Sequence, residues 1–438
     1  MSSRLLCVVA ASASLHAVAA IERTAMQRHP APLAFASASV SADGRTVAFE
    51  SLARLDPRDA NAHSDIYLLD ILSGRTELAS FGPDHEALTG SSIAPSISGD
   101  GRYVVFESVT PGSAPPCMTL FLHDRQGGAT RALALAGASR GLSHLACAKR
   151  PSISRDGNWV AFDSVAEDLV EGPDVNGPTA DVYVMNLRTG HVGRASVRTD
   201  GTQTSEGGSV AASLSAAGQS VAFTSTACLD GVPGQRRADD PGPRTCPPRV
   251  YVRDLATGRT RGLWAPGSAW PSGASYAPAL SANGRHVAFV STAENLVKTD
   301  TGGRANVYVF DLQTDAFELV SRTRRGRAGD GPSGRPAISE TGRFVAFDST
   351  ASDLLCARSC GARERDHNLV ADVFVLDRKL RLMRRASEDE TGRHWWVPSL
   401  GPALDASSGL VTFSSRQPMD ASDTRADFDL FVLRLPQR

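Results

Sequence analysis

Five loops in this chain of 438 residues space aspartate and asparagine in a way that suits a hard cation. "DANAHSD" supplies Asp59, Asn61 and Asp65; "DVNGPTAD" supplies Asp174, Asn176 and Asp181; "DHNLVAD" supplies Asp366, Asn368 and Asp372. "DTGGRAN" carries Asp300 and Asn306, and "DTRADFD" carries Asp423, Asp427 and Asp429. Oxygen donors at alternating positions are what Ca²⁺ requires, so calcium is the one cofactor these loops suggest. They lack the bidentate Glu and the full ligand count of an EF-hand loop, and the copies drift. A local role competes, because Asp and Asn side chains also close Asx-turns ahead of a strand. Both readings stay open at this level.

Aromatic residues and histidines gather in loops of the same kind. "AWPSGASY" holds Trp270 and Tyr276, and "RHWWVPS" holds Trp395 and Trp396. Exposed in a Gly- and Pro-bounded loop, such rings anchor a protein partner or stack on a sugar; turned inward, one of them plugs the packing beneath it. His85, His144 and His394 lie in linkers, and His63 and His367 lie in the Asp-loops. Imidazoles that met over one opening would suit a metal, but spacing alone does not bring them together.

Cys7 stands in the leader-like N-terminus. The other six cysteines, Cys117, Cys147, Cys228, Cys246, Cys356 and Cys360, all fall in loops. Buried free thiols fit that placement poorly, and "CARSC" departs from the C-x2-C spacing of structural zinc. Three disulfides and an oxidising compartment are expected.

What positions these loops is a repeat. "SADGRTVAFES" at 41–51 returns as "SGDGRYVVFES", "SRDGNWVAFDS", "SAAGQSVAFTS", "SANGRHVAFVS", "SETGRFVAFDS" and "DASSGLVTFSS". The turn glycines Gly44, Gly101, Gly157, Gly218, Gly284, Gly342 and Gly409 are 57, 56, 61, 66, 58 and 67 residues apart. A second phrase, typified by "DVYVMNLRTGH", recurs inside each unit. Both phrases alternate apolar and polar residues between Gly-containing turns, the pattern of half-buried strands. Each unit then reads as four strands: one ending at "PSIS", a second at "RxVAFxS", a third at "DVYVxD" and a fourth like "HVGRASV". Four strands cannot bury both faces alone, and stacking the units radially solves this. The expected fold is all-β, a seven-bladed β-propeller of four-stranded antiparallel blades. The recurring Phe49, Phe106, Phe162, Phe223, Phe289, Phe347 and Phe413 are its blade-to-blade packing residues.

The combined phrase "PSISxDGRxVAFxS…DVYVxDLxTGxxxR" resembles the WD-like propeller repeat of the TolB type. The same repeat occurs in the propellers of prolyl- and dipeptidyl-peptidases and in oligogalacturonate lyase. The resemblance covers nearly the whole chain and implies fold more than function, since propellers host unrelated activities. The α/β domain that TolB carries has no counterpart in the repeats' span, nor has the hydrolase domain of the peptidases. No G-x-S-x-G elbow stands between a strand and a helix.

Residues 1–20, "MSSRLLCVVAASASLHAVAA", resemble a signal peptide, leaving 21–438 as one propeller domain. "IERTAMQ" at 21–27 resembles the fourth strands and is expected to complete the last blade, since an open edge invites aggregation. The net charge of −1 offers no footprint for nucleic acid. No apolar run reaches the ~18–20 residues of a transmembrane span. Within a blade the chain runs up and down. The loops joining second to third strands therefore share one face with the linkers between blades, and binding residues are expected there. The sequence points first to an exported, monomeric, non-enzymatic module, periplasmic or secreted, with an envelope or extracellular protein or glycan as partner. The alternative is a polysaccharide lyase or hydrolase with a metal held by histidine at the channel mouth.

Overall fold

A computed structural model describes residues 22–23, 38–109, 118–133, 147–229, 246–264, 270–356, 366–388, 395–405, 410–416 and 429–435. Every regular element among them is a strand, and the strands form seven four-stranded antiparallel sheets. Blade three is representative, with Ala148–Ile153, Trp159–Ser164, Asp181–Asn186 and Val192–Arg194 lying side by side in chain order. In the seventh sheet Ser399–Leu404, Leu410–Ser415 and Asp429–Arg434 are joined by Glu22–Arg23, with Glu22 opposite Arg434 and Arg23 opposite Leu433.

The first strand of each blade is innermost. Its neighbours around the ring are the first strands of the adjacent blades, and backbone-to-serine bonds stitch them together. Ile97, Ile153, Leu214 and Leu280 donate N–H to Ser39, Ser96, Ser152 and Ser213 of the preceding blade. In most blades this strand begins earlier than the "PSIS" phrase suggests. In blade two it spans Ser92–Ile97, with a register shift between Ile93 and Ser96. Pro95 has no N–H to give a ladder, so the strand crosses it as a bulge. The residue at the bulge is left-handed in six blades: Ala94, Arg150, Ala211, Ala277, Arg335 and Gly401, with φ from 44° to 62°.

The apolar letters divide between two neighbours, because side chains alternate along a strand. Val47 and Phe49 pack with Leu410, Leu430 and Val432 of blade seven, while Ala48 packs with Val104 and Phe106 of blade two. Seven such clusters exist, each shared by two adjacent blades. The small Ala lets the next blade approach, and the large Phe fills the space toward the previous one. Each of those seven phenylalanines lies against an aromatic of the third strand, with ring centroids from 5.4 Å (Phe413–Phe431) to 6.1 Å (Phe223–Tyr251) apart.

Candidate functional site: the loop face and the channel mouth

Most recurring polar letters are engaged in holding the fold. The serine that opens the turn phrase (Ser41, Ser98, Ser154, Ser281) donates to Asp43, Asp100, Asp156 or Asn283 two residues on. The same hydroxyl accepts the N–H five residues on. Arg45, Arg102, Arg285 and Arg343 pair with Asp70, Asp124, Asp311 and Asp377 at the end of the third strand. Those carboxylates also accept turn N–H groups, from Ser73 in blade one and Gln126 in blade two. The Ser73 N–H holds Asp70, and the Arg102 guanidinium holds Asp124, at about 2.

The Asp-loops form a second internal network. The residue opening the third strand (Asp65, Asp181, Asn306 or Asp372) accepts from a serine fifteen positions on. These serines are Ser80, Ser196, Ser321 and Ser387. Each serine in turn accepts the N–H of the strand's second residue, Ile66, Val182, Val307 or Val373, at 2.9–3.0 Å. The asparagines join in: Asn61 donates to Asp65 at 3.0 Å and Asn368 to Asp372 at 3.1 Å. Asn176 donates to the Gly207 carbonyl.

Blades three and six add a cation from their own sequence. Arg194 reaches Asp174 at 3.2 Å and Asp181 at 3.4 Å, all three side chains nearly fully buried. Arg385 stands 3.7 Å from Asp372. Burial first, and Asp366 alongside, push the Asp372 carboxyl upward against the pull of Arg385. Blade five is neutral here, with buried Thr301 and Asn306, while Asp300 is exposed. Blade one holds Asp59 and Asp65, both buried, and has Leu78 where the arginines stand. Tyr67 donates to Asp59, and burial pushes Asp65 up to about 6. Among the described residues no three His, Cys, Asp or Glu side chains come together as a metal cage. Asp423 and Asp427 lie outside the described residues, and Asp429 is buried at the start of its strand.

The aromatic residues separate. Trp395 is only 6% exposed, packed between Phe413 and Phe431, so it is core rather than a contact surface. Its neighbour Trp396 is 71% exposed. Trp270 stacks on Arg249, whose guanidinium carbon is 4.0 Å from the ring, and lies 5.8 Å from Trp264. Arg249 and Trp264 stand where blades one, three and six have an Asp–Ser pair, so blade four replaces a hydrogen bond by cation–π packing. Tyr276 is partly exposed on the inner strand Ser275–Leu280.

Cys228 is bonded to Cys246, and Cys147 and Cys356 are each in a disulfide. Cys117 and Cys360 lie outside the described residues, as do the leader at 1–20, His144 and His394. His63 is exposed in its loop, and His367 is exposed beside buried Asp366. His85 sits on the outer rim, stacked on Phe81 at 5.7 Å, and not at the channel.

The one variable letter inside "VAFxS" shows what sequence reading overlooked. Glu50, Glu107, Asp163 and Asp348 occupy it, all buried. They accept the N–H of the left-handed residue in the next inner strand: Ala94, Arg150, Ala211 and Gly401 respectively. Arg150 also grips Asp163 through two bonds of 2.9 and 2.8 Å, and Arg335 reaches Asp348 at 2.8 Å. Burial raises the Glu107 and Asp163 carboxyls above the usual range. Lys149, Arg150, Tyr276 and Arg335 are the exposed side chains at the loop-face end of the inner strands. Carboxylates set behind arginines orient those guanidinium groups at the channel mouth.

No family model matches the chain, and no curated protein matches it. Solved structures of similar fold do exist. The β-propeller domain of the Trilobed protease from Pyrococcus furiosus is 9% identical, covering 92% of this chain and 95% of that one, with a TM-score of 0.53. Oligogalacturonate lyase from Vibrio parahaemolyticus is 14% identical, covering 94% and 92%, with a TM-score of 0.52. TolB from Acinetobacter baumannii is 17% identical over 73% of this chain, with a TM-score of 0.39; the match spans 58% of the TolB chain. At such identities the first two likenesses speak to architecture alone, and with the seven sheets they establish the chain as a seven-bladed β-propeller.

Proposed function

We propose that the chain is an exported, non-enzymatic binding module that takes a protein or glycan partner at the channel mouth on its loop face. The observation that carries this is where the repeat breaks. The recurring polar letters of the turns and third strands are buried in bonds within the fold, whereas Lys149, Arg150, Tyr276 and Arg335 are exposed on the inner strands. Arg150 and Arg335 are fixed by Asp163 and Asp348, so the mouth offers pre-oriented donors beside an aromatic ring. That combination suits carboxylate and hydroxyl groups on a partner. The TolB-type repeat supports a protein-binding role, and the Cys228–Cys246 disulfide supports an oxidising compartment. The lyase alternative draws on the oligogalacturonate lyase likeness, but His85 on the outer rim does not serve it.

The Asp-loops fit a structural role. Blades three and six supply their own cation as arginine, and blade five has exchanged the charges for neutral groups. Affinity capture from envelope extract and binding to a glycan array, comparing the wild-type protein with Lys149→Glu/Tyr276→Ala, tests the proposal. Loss of the retained partner at an unchanged melting temperature is expected. Equal capture by both proteins would overturn it.

A further inference from the structure

A cavity of about 430 Å³ opens on the rim between blades one and two, lined by Arg58, Arg75, Arg125, Glu77, His85 and His123. That size accommodates a small metabolite. Three guanidinium groups, of Arg58, Arg75 and Arg125, share the lining with two carboxylates, Asp56 and Glu77, and Glu86 also acts on Arg58. Arg58 is clamped by Asp56 through its Nε and one terminal nitrogen, at 2.9 and 2.8 Å. Arg125 is held by Glu77 and by the Thr46 hydroxyl at 3.1 Å. Each keeps further N–H groups for a ligand, and the exposed Arg75 adds a whole guanidinium.

His123 supplies an acceptor. The Thr130 hydroxyl donates to the Ala79 carbonyl at 2.8 Å, so toward His123 Nδ1, 3.0 Å away, it can only accept. The ring proton is therefore on Nδ1, and the lone pair is on Nε2. His123 is 96% buried, being 4% exposed, and Nε2 has no partner among the described residues. Burial drives its pKa down to about 4, so the ring stays neutral at ordinary pH.

The turn that carries His85 is the second observation. Blades three and five build the same turn: Arg198 bonds to Thr202 and Thr323 to Arg327, as Gly82 does to Glu86. Its fourth residue is Gly201 at φ 83° and Gly326 at φ 78°, but blade one places His85 there at φ 64°. Blade six also has glycine in sequence, Gly392. Among the described residues, the left-handed position that blades three and five give to glycine holds an imidazole in blade one, at the edge of the cavity and stacked on Phe81.

We infer that this rim cavity is a binding site for a small hydroxylated anion, its acid group held by Arg75, Arg58 and Arg125 and a hydroxyl donating to His123 Nε2. It is separate from the channel mouth and stands or falls independently of a partner there. Calorimetric titration with gluconate, glycerol 3-phosphate and neutral sorbitol, on the wild type, Arg75→Gln and His85→Gly, tests it. At least one anion should bind the wild type, and the two anions tell carboxylate from phosphate; sorbitol should not bind. Arg75→Gln should weaken binding about tenfold or more. His85→Gly should weaken it without lowering the melting temperature, because blades three and five fold with glycine there. Equal binding of sorbitol, undiminished binding by both variants, or no heat from either anion up to about 10 mM would overturn the inference.

Discussion

Replacing Asp65 by asparagine should stabilise the protein, and only above a defined pH. Asp65 is fully buried beside Asp59, and among the described residues no arginine pairs with it as in blades three and six. Burial, the largest cause, and Asp59 raise its carboxyl from 3.8 to about 6. At 1.36 kcal/mol per unit, holding it ionised at pH 8 costs the folded state about 3 kcal/mol. Blade five displays the product of the exchange: Asn306 accepts from Ser321 at 2.9 Å, as Asp65 accepts from Ser80. The loss is the Asn61 amide, which would meet an amide instead of an acceptor, at about 1 kcal/mol. The net expectation is about 2 kcal/mol of added stability.

The sign with pH follows from proton uptake. Between about 4 and 6 the folded wild type binds a proton that the unfolded chain has released, so its stability falls as pH rises. Below that window Asp65 is neutral in both states, and the gain from Asp65→Asn vanishes. Urea unfolding of both proteins at pH 4 and pH 8 measures it. A variant less stable than wild type at pH 8 would show that something charged, such as a bound cation, compensates the pair. A gain identical at both pH values would show that folding does not shift the Asp65 carboxyl.

Three further outcomes follow from the same packing. Trp395→Ala should cost about 3–5 kcal/mol in chemical denaturation, whereas Trp396→Ala should stay within about 0.5 kcal/mol, because only the first is buried. Serine at both Cys228 and Cys246 should cost about 3 kcal/mol, from opening a loop whose ends are 18 residues apart. Arg385→Met should cost about 3–5 kcal/mol by stranding Asp366 and Asp372, and adding Asp366→Asn and Asp372→Asn should recover much of the loss. A triple variant as unstable as the single one would mean that Arg385 acts through packing alone.

The fold was legible because stacking constrains the same positions in every unit. The Val and Phe of "VAFxS" must face one neighbour and the Ala the other, and seven copies of one constraint are visible without coordinates. Strand starts were less legible, since Pro95 and its counterparts look like a beginning when the strand passes through them as a bulge. The Asp-loops stood out by spacing, but their partners did not. Arg194 and Arg385 lie 13 residues beyond Asp181 and Asp372, on another strand, and only folding brings them back. Trp395 and Trp396 are adjacent and chemically alike, and alternation along the backbone sends one into the core and the other into solvent. Arg150 and Arg335 were overlooked because a lone arginine beside proline carries no motif.

A protein built of repeats contains its own comparison set, and departures from the shared pattern mark where one blade does something its sisters do not. Position by position, the buried acid pair is balanced by arginine in blades three and six, neutral in blade five and unbalanced in blade one. The left-handed residue of the rim turn is glycine in blades three and five and histidine in blade one. Both anomalies fall in blade one, the acid pair at Asp59 and Asp65 and the turn at His85. The unbalanced carboxylates penalise the fold near neutral pH, and the left-handed His85 adds backbone strain. A blade that the stacking pattern could make more stable with a single Asn or Gly keeps neither, and the cavity lined by Arg75, His85 and His123 lies on its flank. Stability given up in one blade, next to a polar cavity, is the arrangement expected of a site selected for binding rather than for packing.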